Sequence, residues 1–445
     1  MSFFEKKRVL VLGTTISNAA IVRVLAENNP DITIDWGTGH DFKFNLPNLN
    51  VIKMPIEFTG TVDETFFENK FNFFKDGAFD FLTSKLVTFI LDNQQNYDMV
   101  IALTAEFQRW NKMPYVRKNL NIPLLTPGFQ ESILEYDKLF TKDMLIELGI
   151  PTPEYTLVDK NKIVEELDNA ELPIVLKFSK NFSALGFGTW VFKKRQYHET
   201  IAESIDGGYF PTQELYIEEF VKGKEVSVHY LCNGIDAEYL GSARDYKKLY
   251  EYDLGMNTSG TGCYSDVDYF TEDIKRTVDA YASQILNHLN SRGMFYKGVL
   301  YLGIIIGDDN IPQILEINTR PGSPEIASIL ETVDCKNLLE NFYRAATSKD
   351  LIPFESKNNA ATTICLVNKN YNGIMKMFTK FPQFTNIPDD IKVDYSSYVF
   401  NKYNIYCSLT TVGTTRMEAA EKINKYLETQ ELNDFRFRKD IGFLE

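Results

Sequence analysis

Histidine is scarce in this 445-residue chain: there are four, and none stands at metal-ligand spacing from a cysteine or a carboxylate. Zinc hydrolysis and His-triad chemistry are therefore poorly served. Cysteine is sparse too, with Cys232, Cys263, Cys335, Cys365 and Cys407 scattered as an odd set without a CxxC. They read as buried thiols in a reducing compartment, not as a disulfide frame or a zinc site. No apolar run approaches the ~20 residues that a membrane span needs. The opening MSFFEKKRVLVLG passes straight into a strand without a signal-peptide core. A cytosolic protein with no membrane partner is expected. Positive charge is in deficit, since 47 Lys and Arg face 61 Asp and Glu for a net charge of −14. A body this acidic repels phosphate backbones, which argues against a nucleic-acid polymer as partner. Any anionic ligand must be met by locally gathered Lys, Arg, metal and backbone N–H groups.

What is present is an ordinary globular composition, 44% hydrophobic and 24% charged, with length for about three domains. Residues 8–12 form a short apolar strand ending at Gly13, followed by Thr14, Thr15, Ser17 and Asn18 and a helix through Leu25. Strand, glycine turn and helix open a doubly wound α/β unit whose helix N-terminus is a potential anion site. A plain capped turn explains the same residues, and the absence of GxGxxG there leaves a dinucleotide site weakly supported. A helix at 79–91 and a strand at 99–103 follow, after which Pro114, Pro123 and Pro127 punctuate the approach to a second unit. Helical patterns at 136–148 and from the cap Thr271 to Gly293 flank strands at 173–178, 189–192, 215–220 and 225–231. A hairpin joins 298–306 to 311–318, and a strand-rich tail from about 362 carries a helix at 416–427.

The most informative segment is Gln313-Ile-Leu-Glu316-Ile-Asn318-Thr-Arg320-Pro-Gly322. Side chains alternate along a strand, so Glu316, Asn318 and Arg320 point to one face. A carboxylate, an amide oxygen and a guanidinium there suit Mg²⁺ beside a transferring phosphoryl group. A merely solvated face would not need the flanking strand at 299–306 to be so apolar. Lys177 ends a strand beside a Ser/Gly loop at 179–188, which fits a nucleotide phosphate clamp, though alone it is weak evidence. The pair Glu218-Glu219 reads as an inter-strand hinge whose backbone can meet an adenine edge, with Glu225 able to accept from ribose hydroxyls. Solvated acids on an edge strand are the plainer explanation of that pair.

Together these segments resemble the ATP-grasp ligases, and within them the phosphoribosylamine–glycine ligase family. The resemblance runs over almost the whole chain. It is carried by Tyr136-Asp-Lys138-Leu-Phe-Thr-Lys142, Ile174-Val-Leu-Lys177, Ile217-Glu-Glu-Phe220 with Gly223-Lys-Glu225, and Asp245-Tyr-Lys-Lys248. Further on come Asn257-Thr-Ser-Gly260, Gly262-Cys-Tyr-Ser265, Gly298-Val-Leu-Tyr301, the Glu316 segment through Glu325, and Arg438-Lys-Asp-Ile-Gly442. It implies an α/β, ATP-grasp fold: an N-terminal doubly wound α/β domain over 1–130, an ATP-grasp domain over 131–345 with a lid at about 150–220, and a small strand-rich α+β domain over 346–445. It implies that Lys138 and Lys177 hold ATP phosphates, that Glu218, Glu219 and the Val221 backbone hold adenine, and that Glu225 takes ribose. Glu316 and Asn318 would hold Mg²⁺ or Mn²⁺, and Arg320, Lys247 and Asn257 would serve the reacting groups. Gly13, Thr14, Thr15, Glu106, Asp245, Thr258 and Ser323 fall at the substrate ends. The implied partners are a small carboxylate and a small or nucleotide amine, and the implied assembly is a monomer or small homo-oligomer.

The departures from the family are grouped. The family's Gly-Gly-Arg-Glu-His turn is here Gly13-Thr-Thr-Ile-Ser17, and its Gly-Pro-Glu keeps only Glu106. The lid's Gly-Lys-Gly becomes Gly186-Phe187-Gly188, and an Asp near the metal strand becomes Ser323. Losing an Arg and a His beside a phosphate removes charge-assisted hydrogen bonds of about 1.5–3 kcal/mol each. A relative that joins a different carboxylate to a different amine is therefore expected. The alternatives are a divergent phosphoribosylamine–glycine ligase of purine synthesis and a non-catalytic nucleotide-binding protein.

Overall fold

Five short apolar strands near the N-terminus build a parallel sheet. They are β1 (Arg8–Leu12), β2 (Thr33–Thr38), β3 (Leu49–Lys53), β4 (Met99–Ile101) and β5 (Leu124–Leu125), in the order β3-β2-β1-β4-β5. Val9 to Leu12 are almost wholly buried, as parallel strands covered on both faces require. The strand order reverses at β1, so the crevice at its carboxyl end, where Gly13 stands, is the natural ligand position of such a sheet. Helix α1 (Ile16–Asn28) leaves that turn, and α2 (Ala78–Asn93) leads into β4. The computed structural model describes residues 4–38, 46–53, 78–104, 113–179, 189–195, 198, 202, 214–265, 267–369, 376–377, 381–396, 400–401 and 405–443.

Helix α3 (Lys138–Glu147) starts two residues later than its apolar pattern, because Asp137 takes the N-cap and accepts from the Phe140 N–H at 3.1 Å. It precedes a four-stranded antiparallel sheet made of β6 (Tyr155–Val158), β7 (Ile174–Phe178), β8 (Thr189–Phe192) and β9 (Leu215–Glu219), in the order β6-β9-β7-β8.

The largest sheet begins with β10 (Gly223–Asn233) and β11 (Ala237–Asp245). A small hairpin of β12 (Lys248–Tyr250) and β13 (Leu254–Asn257) interrupts the path before β14 (Gly262–Ser265). Helix α4 (Glu272–Ser291) then lays Ile274, Val278, Ala282, Ile285 and Leu289 into the main core, with the Thr271 side chain capping its first turn. Strands β15 (Lys297–Gly307) and β16 (Pro312–Asn318) form the expected hairpin, and α5 (Glu325–Thr332) follows. Beyond it lie β17 (Ala360–Asn368), the pair β18 (Lys376–Met377) and β20 (Phe400–Asn401), β19 (Lys392–Tyr395), β21 (Ile405–Gly413), α6 (Arg416–Glu428) and β22 (Phe435–Arg436).

The sheet order is β16-β15-β10-β11-β14-β17-β21-β19. Backbone pairing of β14 with β17, from Gly262↔Ile364 to Ser265↔Ala361, carries one sheet across the expected border at 345/346. Helix α1 is wedged against both parts. Buried Arg23 gives its Nε and Nη2 to the two Asp394 oxygens at 3.0 and 3.1 Å, and its Nη1 to Glu331 at 2.9 Å. The five cysteines are buried and unpaired. No described helix is long and apolar enough to cross a membrane.

Candidate active site

Pairing of β15 with β16 sets Tyr301 opposite Asn318 and Gly303 opposite Glu316. Glu316 and Asn318, two apart on one strand, share a face, and Asn318 Nδ2 donates to Glu316 Oε1 at 3.2 Å. Glycine at 303 leaves room for the acid, since a Cβ there would lie 3.0 Å from Glu316 Cγ. Burial opposes ionisation of Glu316, but Lys247, Lys138 and Lys177, helped by the Asn318 amide, outweigh it and hold the carboxyl at about 2. Lys138 is itself pushed down to about 8 by burial, with Glu316 resisting the shift.

A fixed anion and an amide oxygen edged by three ammonium groups fit a hard divalent ion that carries phosphate oxygens. Among the described residues no cluster of three or more His, Cys, Asp and Glu could hold a metal by itself. The remaining donors would be phosphate and water.

Arg320 lies just past the end of β16. Its Nη2 donates to Asn318 Oδ1 at 3.4 Å and its Nε to Glu135 Oε1 at 3.2 Å. Glu135, 3% exposed, also accepts from the Thr319 N–H and hydroxyl at 3.0 and 3.1 Å. This acid therefore holds the end of the metal strand. The sequence carries no local sign of it, because the partners are more than 180 residues apart.

Glu218 points inward from β9, 1% exposed, and accepts from both Lys142 and Lys177. Lys142 completes its donor set on Thr152 Oγ1 at 2.7 Å and the Pro153 carbonyl at 2.9 Å. Burial pushes Lys142 down to about 8 against the pull of Glu218. Glu219, the last residue of β9, faces the other way and is exposed, and Val221 lies half-buried just beyond it. Glu225 is exposed on β10 with its Oε2 3.7 Å from Lys247 Nζ. Thus Lys138, Lys177, Lys247, Glu316, Asn318 and Arg320 gather on one site, while Glu218 is already engaged by two lysines.

At the other end of the site, Asp245 Oδ1 and Glu325 Oε2 are buried oxygens without a hydrogen-bond partner among the described residues. Burial, and then the nearby Glu325 carboxylate, push the Asp245 carboxyl well above the usual carboxylate range. Burial of Lys247 is outweighed by Glu225, Tyr301, Glu316 and Asp245, which raise it well above an ordinary lysine. Gly260, at φ +114°, closes this end: a Cβ there would come within 2.6 Å of Pro324, 2.9 Å of Asp245 Oδ1 and 3.1 Å of the Ser323 carbonyl. Thr258 braces the turn, giving its N–H and hydroxyl to the Lys247 carbonyl at 2.6 and 3.0 Å. Asn257 pairs with Lys248 in the β12–β13 hairpin.

The turn at Gly13 uses several of its own polar groups. Thr15 caps α1 reciprocally with Asn18, and the Ser17 hydroxyl donates to the Gly322 carbonyl at 2.9 Å. The Gly13 carbonyl accepts from the Trp36 indole at 2.8 Å, and the Thr14 carbonyl faces the Ser396 hydroxyl at 3.5 Å. Glu106 and the loop 180–188, with Gly186, Phe187 and Gly188, lie outside the described residues. Beside Glu135, the groups that sequence reasoning missed are Glu325 and His229. His229 lies on β10 behind Tyr301 and accepts the Gly322 N–H.

The profile of the phosphoribosylglycinamide synthetase ATP-grasp (A) domain family matches residues 136–326. The chain is 30% identical over 329 residues to the phosphoribosylamine–glycine ligase of Streptococcus suis, covering 69% of this chain and 75% of that one. It is 26% identical over 371 residues to the enzyme of the same name from a Leptospira interrogans serovar copenhageni strain, covering 79% and 84%. The crystal structure of the Thermotoga maritima phosphoribosylamine–glycine ligase superposes with a TM-score of 0.72 at 19% identity, over 98% of this chain and all of that one. With an ATP-grasp fold and this kinship, the chain belongs to the phosphoribosylamine–glycine ligase family and is an ATP-dependent carbon–nitrogen ligase.

Proposed function

We propose that the protein activates a small amino acid, glycine or another, as an acyl phosphate and passes the acyl group to an amine other than the family's usual one. The observation that carries this is the arrangement of Glu316 and Asn318 among Lys138, Lys177 and Lys247, with Asp245 Oδ1 and Glu325 Oε2, which have no hydrogen-bond partner among the described residues, at the far end. The substrate carboxylate oxygen attacks the γ-phosphorus of ATP, the bond to the bridging oxygen breaks, and ADP leaves. The amine nitrogen then attacks the acyl carbon, phosphate departs, and the nitrogen loses a proton.

Two anions must meet in the first step, which water opposes and the ring of cations favours. A divalent ion held by Glu316 and Asn318 would neutralise phosphate charge there. Lys138 and Lys177 would hold phosphates, Arg320 the transferring group, and Lys247 the incoming carboxylate. Buried carboxylate oxygens of Asp245 and Glu325 would receive the substrate's ammonium group, whose charge relieves their mutual repulsion.

The first turn supports an altered amine. Thr15 and Ser17 are committed to a helix cap and to Gly322, so they are poor replacements for the Arg and His that the family places near a ribosyl phosphate. The second reading, a divergent phosphoribosylamine–glycine ligase, is favoured by the names of its relatives. A hydroxylamine trap with ATP, Mg²⁺ and a panel of amino acids tests both. Hydroxamate with any amino acid supports the ligase, and amine-dependent ADP release then separates the readings. Glycine with phosphoribosylamine as the preferred pair would overturn the altered-amine proposal.

Two predictions follow from these groups. Asp245→Asn should raise KM for the amino acid at least tenfold and leave KM for ATP within twofold; equal effects on both would remove Asp245 from the substrate end. Nucleotide binding should weaken above pH 8. Lys138, at about 8 in the ligand-free protein, carries its proton below that value and loses it as pH rises. Where binding requires that proton, affinity falls by up to about tenfold per pH unit. Calorimetric titration of MgADP from about pH 6.5 to 9.5 checks this, and Lys138→Met should flatten the profile. A flat wild-type profile would contradict the assignment.

A further inference from the structure

His229 takes no part in the chemistry above, yet it has no exposed surface and sits beside the site. Register places it directly opposite Tyr301, and Tyr301 directly opposite Asn318. One row across three strands therefore runs from the imidazole to the candidate metal ligand. The His229 and Tyr301 rings stack at 4.6 Å and 22°. The Tyr301 hydroxyl lies 2.8 Å from Ser227 Oγ, which donates to Glu325 Oε1 at 3.3 Å.

Beside this row passes the turn from Arg320 to Glu325, and Gly322 in its middle is held at both of its flanking peptide groups. The Gly322 N–H donates to His229 Nε2 at 2.9 Å, and its carbonyl accepts from Ser17 of α1 at 2.9 Å. The turn is seated closely: a Cβ on Gly322 would fall 2.7 Å from Glu325 Cδ and 2.8 Å from His229 Nε2. An Nε2 that accepts the Gly322 N–H carries no proton, and burial, which pushes the imidazole down to about 3, keeps the ring neutral.

We propose that His229 is a positioning residue: by accepting the Gly322 N–H, its Nε2 fixes the turn that carries Arg320 and Glu325 against the Tyr301–Asn318 row. The catalytic consequence rests on the ligase reading, while the placement of the turn does not. A histidine that only filled space could be exchanged for another side chain of similar bulk.

The test compares His229→Leu, which fills the space without an acceptor, with His229→Gln, whose amide oxygen reaches about where Nε2 stands. His229→Leu should lower kcat for ADP release at least tenfold while MgADP affinity stays within twofold. His229→Gln should restore kcat to within threefold of wild type. Hydrogen exchange over residues 318–326 should quicken in the Leu variant and return to wild-type rates in the Gln variant. That readout needs no substrate, so it stands even where the wild type turns over no acid on the panel. Equal impairment of both variants, or wild-type exchange in His229→Leu, overturns the proposal. Imidazole ¹⁵N spectra of the wild-type chain give a check that no misfolded variant can blur: the proposal requires a bare, hydrogen-bonded Nε2 on His229, and a proton there overturns it.

Discussion

Glu316→Ala is expected to lower ATP turnover about a thousandfold or more, several kcal/mol of barrier. Two losses act together. The principal anionic donor for a divalent ion disappears, and Lys138, Lys177 and Lys247 lose the charge that offsets their mutual repulsion. Glu316→Gln separates these from shape, because it keeps the length of the side chain and a hydrogen-bonding group for Asn318 while removing the charge. Its turnover should fall nearly as far as that of the Ala variant. MgADP titration and ADP release measured on both variants decide the matter. Turnover within tenfold of wild type in Glu316→Ala would remove Glu316 from the metal site, whatever the substrate proves to be.

Much of this site was legible in the sequence because its parts are local. The alternation of Glu316 and Asn318 needs only strand geometry, and the apolar run of β15 supplies the buried neighbour, whereas Arg320 lies past the strand's end and reaches the same face through Asn318 Oδ1. Helix α4 was readable from the spacing of Ile274, Val278, Ala282, Ile285 and Leu289. The side chains that hold the site in place were not readable. Glu135 meets Thr319, His229 meets Gly322 and Arg23 meets Asp394 only after strands and helices far apart in the chain have packed. No periodicity or spacing records such contacts. The same limit applies to Thr15 and Ser17, whose hydroxyls are ordinary in sequence and whose engagement by a cap and by Gly322 is visible only in three dimensions. Glu218 shows a different limit. Alternation sets Glu218 and Glu219 on opposite faces of β9, but which acid turns inward, and its paired engagement by Lys142 and Lys177, come from other elements.

That engagement makes Glu218 the largest stability test. Three charged groups, none more than 8% exposed in the side chain, share one carboxylate between two ammonium groups. Taking such charges out of water costs several kcal/mol per ion, and only the full set of partners offsets it. Lys142 has that set in Glu218, Thr152 and Pro153. Glu218→Ala leaves two buried ammonium groups without their shared anion, and breaking a buried pair from one side costs about 3–5 kcal/mol. Thermal and denaturant unfolding should register that loss as a Tm several degrees lower. Glu218→Gln, which keeps an acceptor without the charge, should lose less. Adding Lys142→Met to Glu218→Gln should recover part of the loss, because one cation then leaves with the anion. The interaction measured by that double-mutant cycle isolates the pair from the packing around it. A Glu218→Ala protein within about 1 kcal/mol of wild type would mean that the lysines shed their protons or reach water.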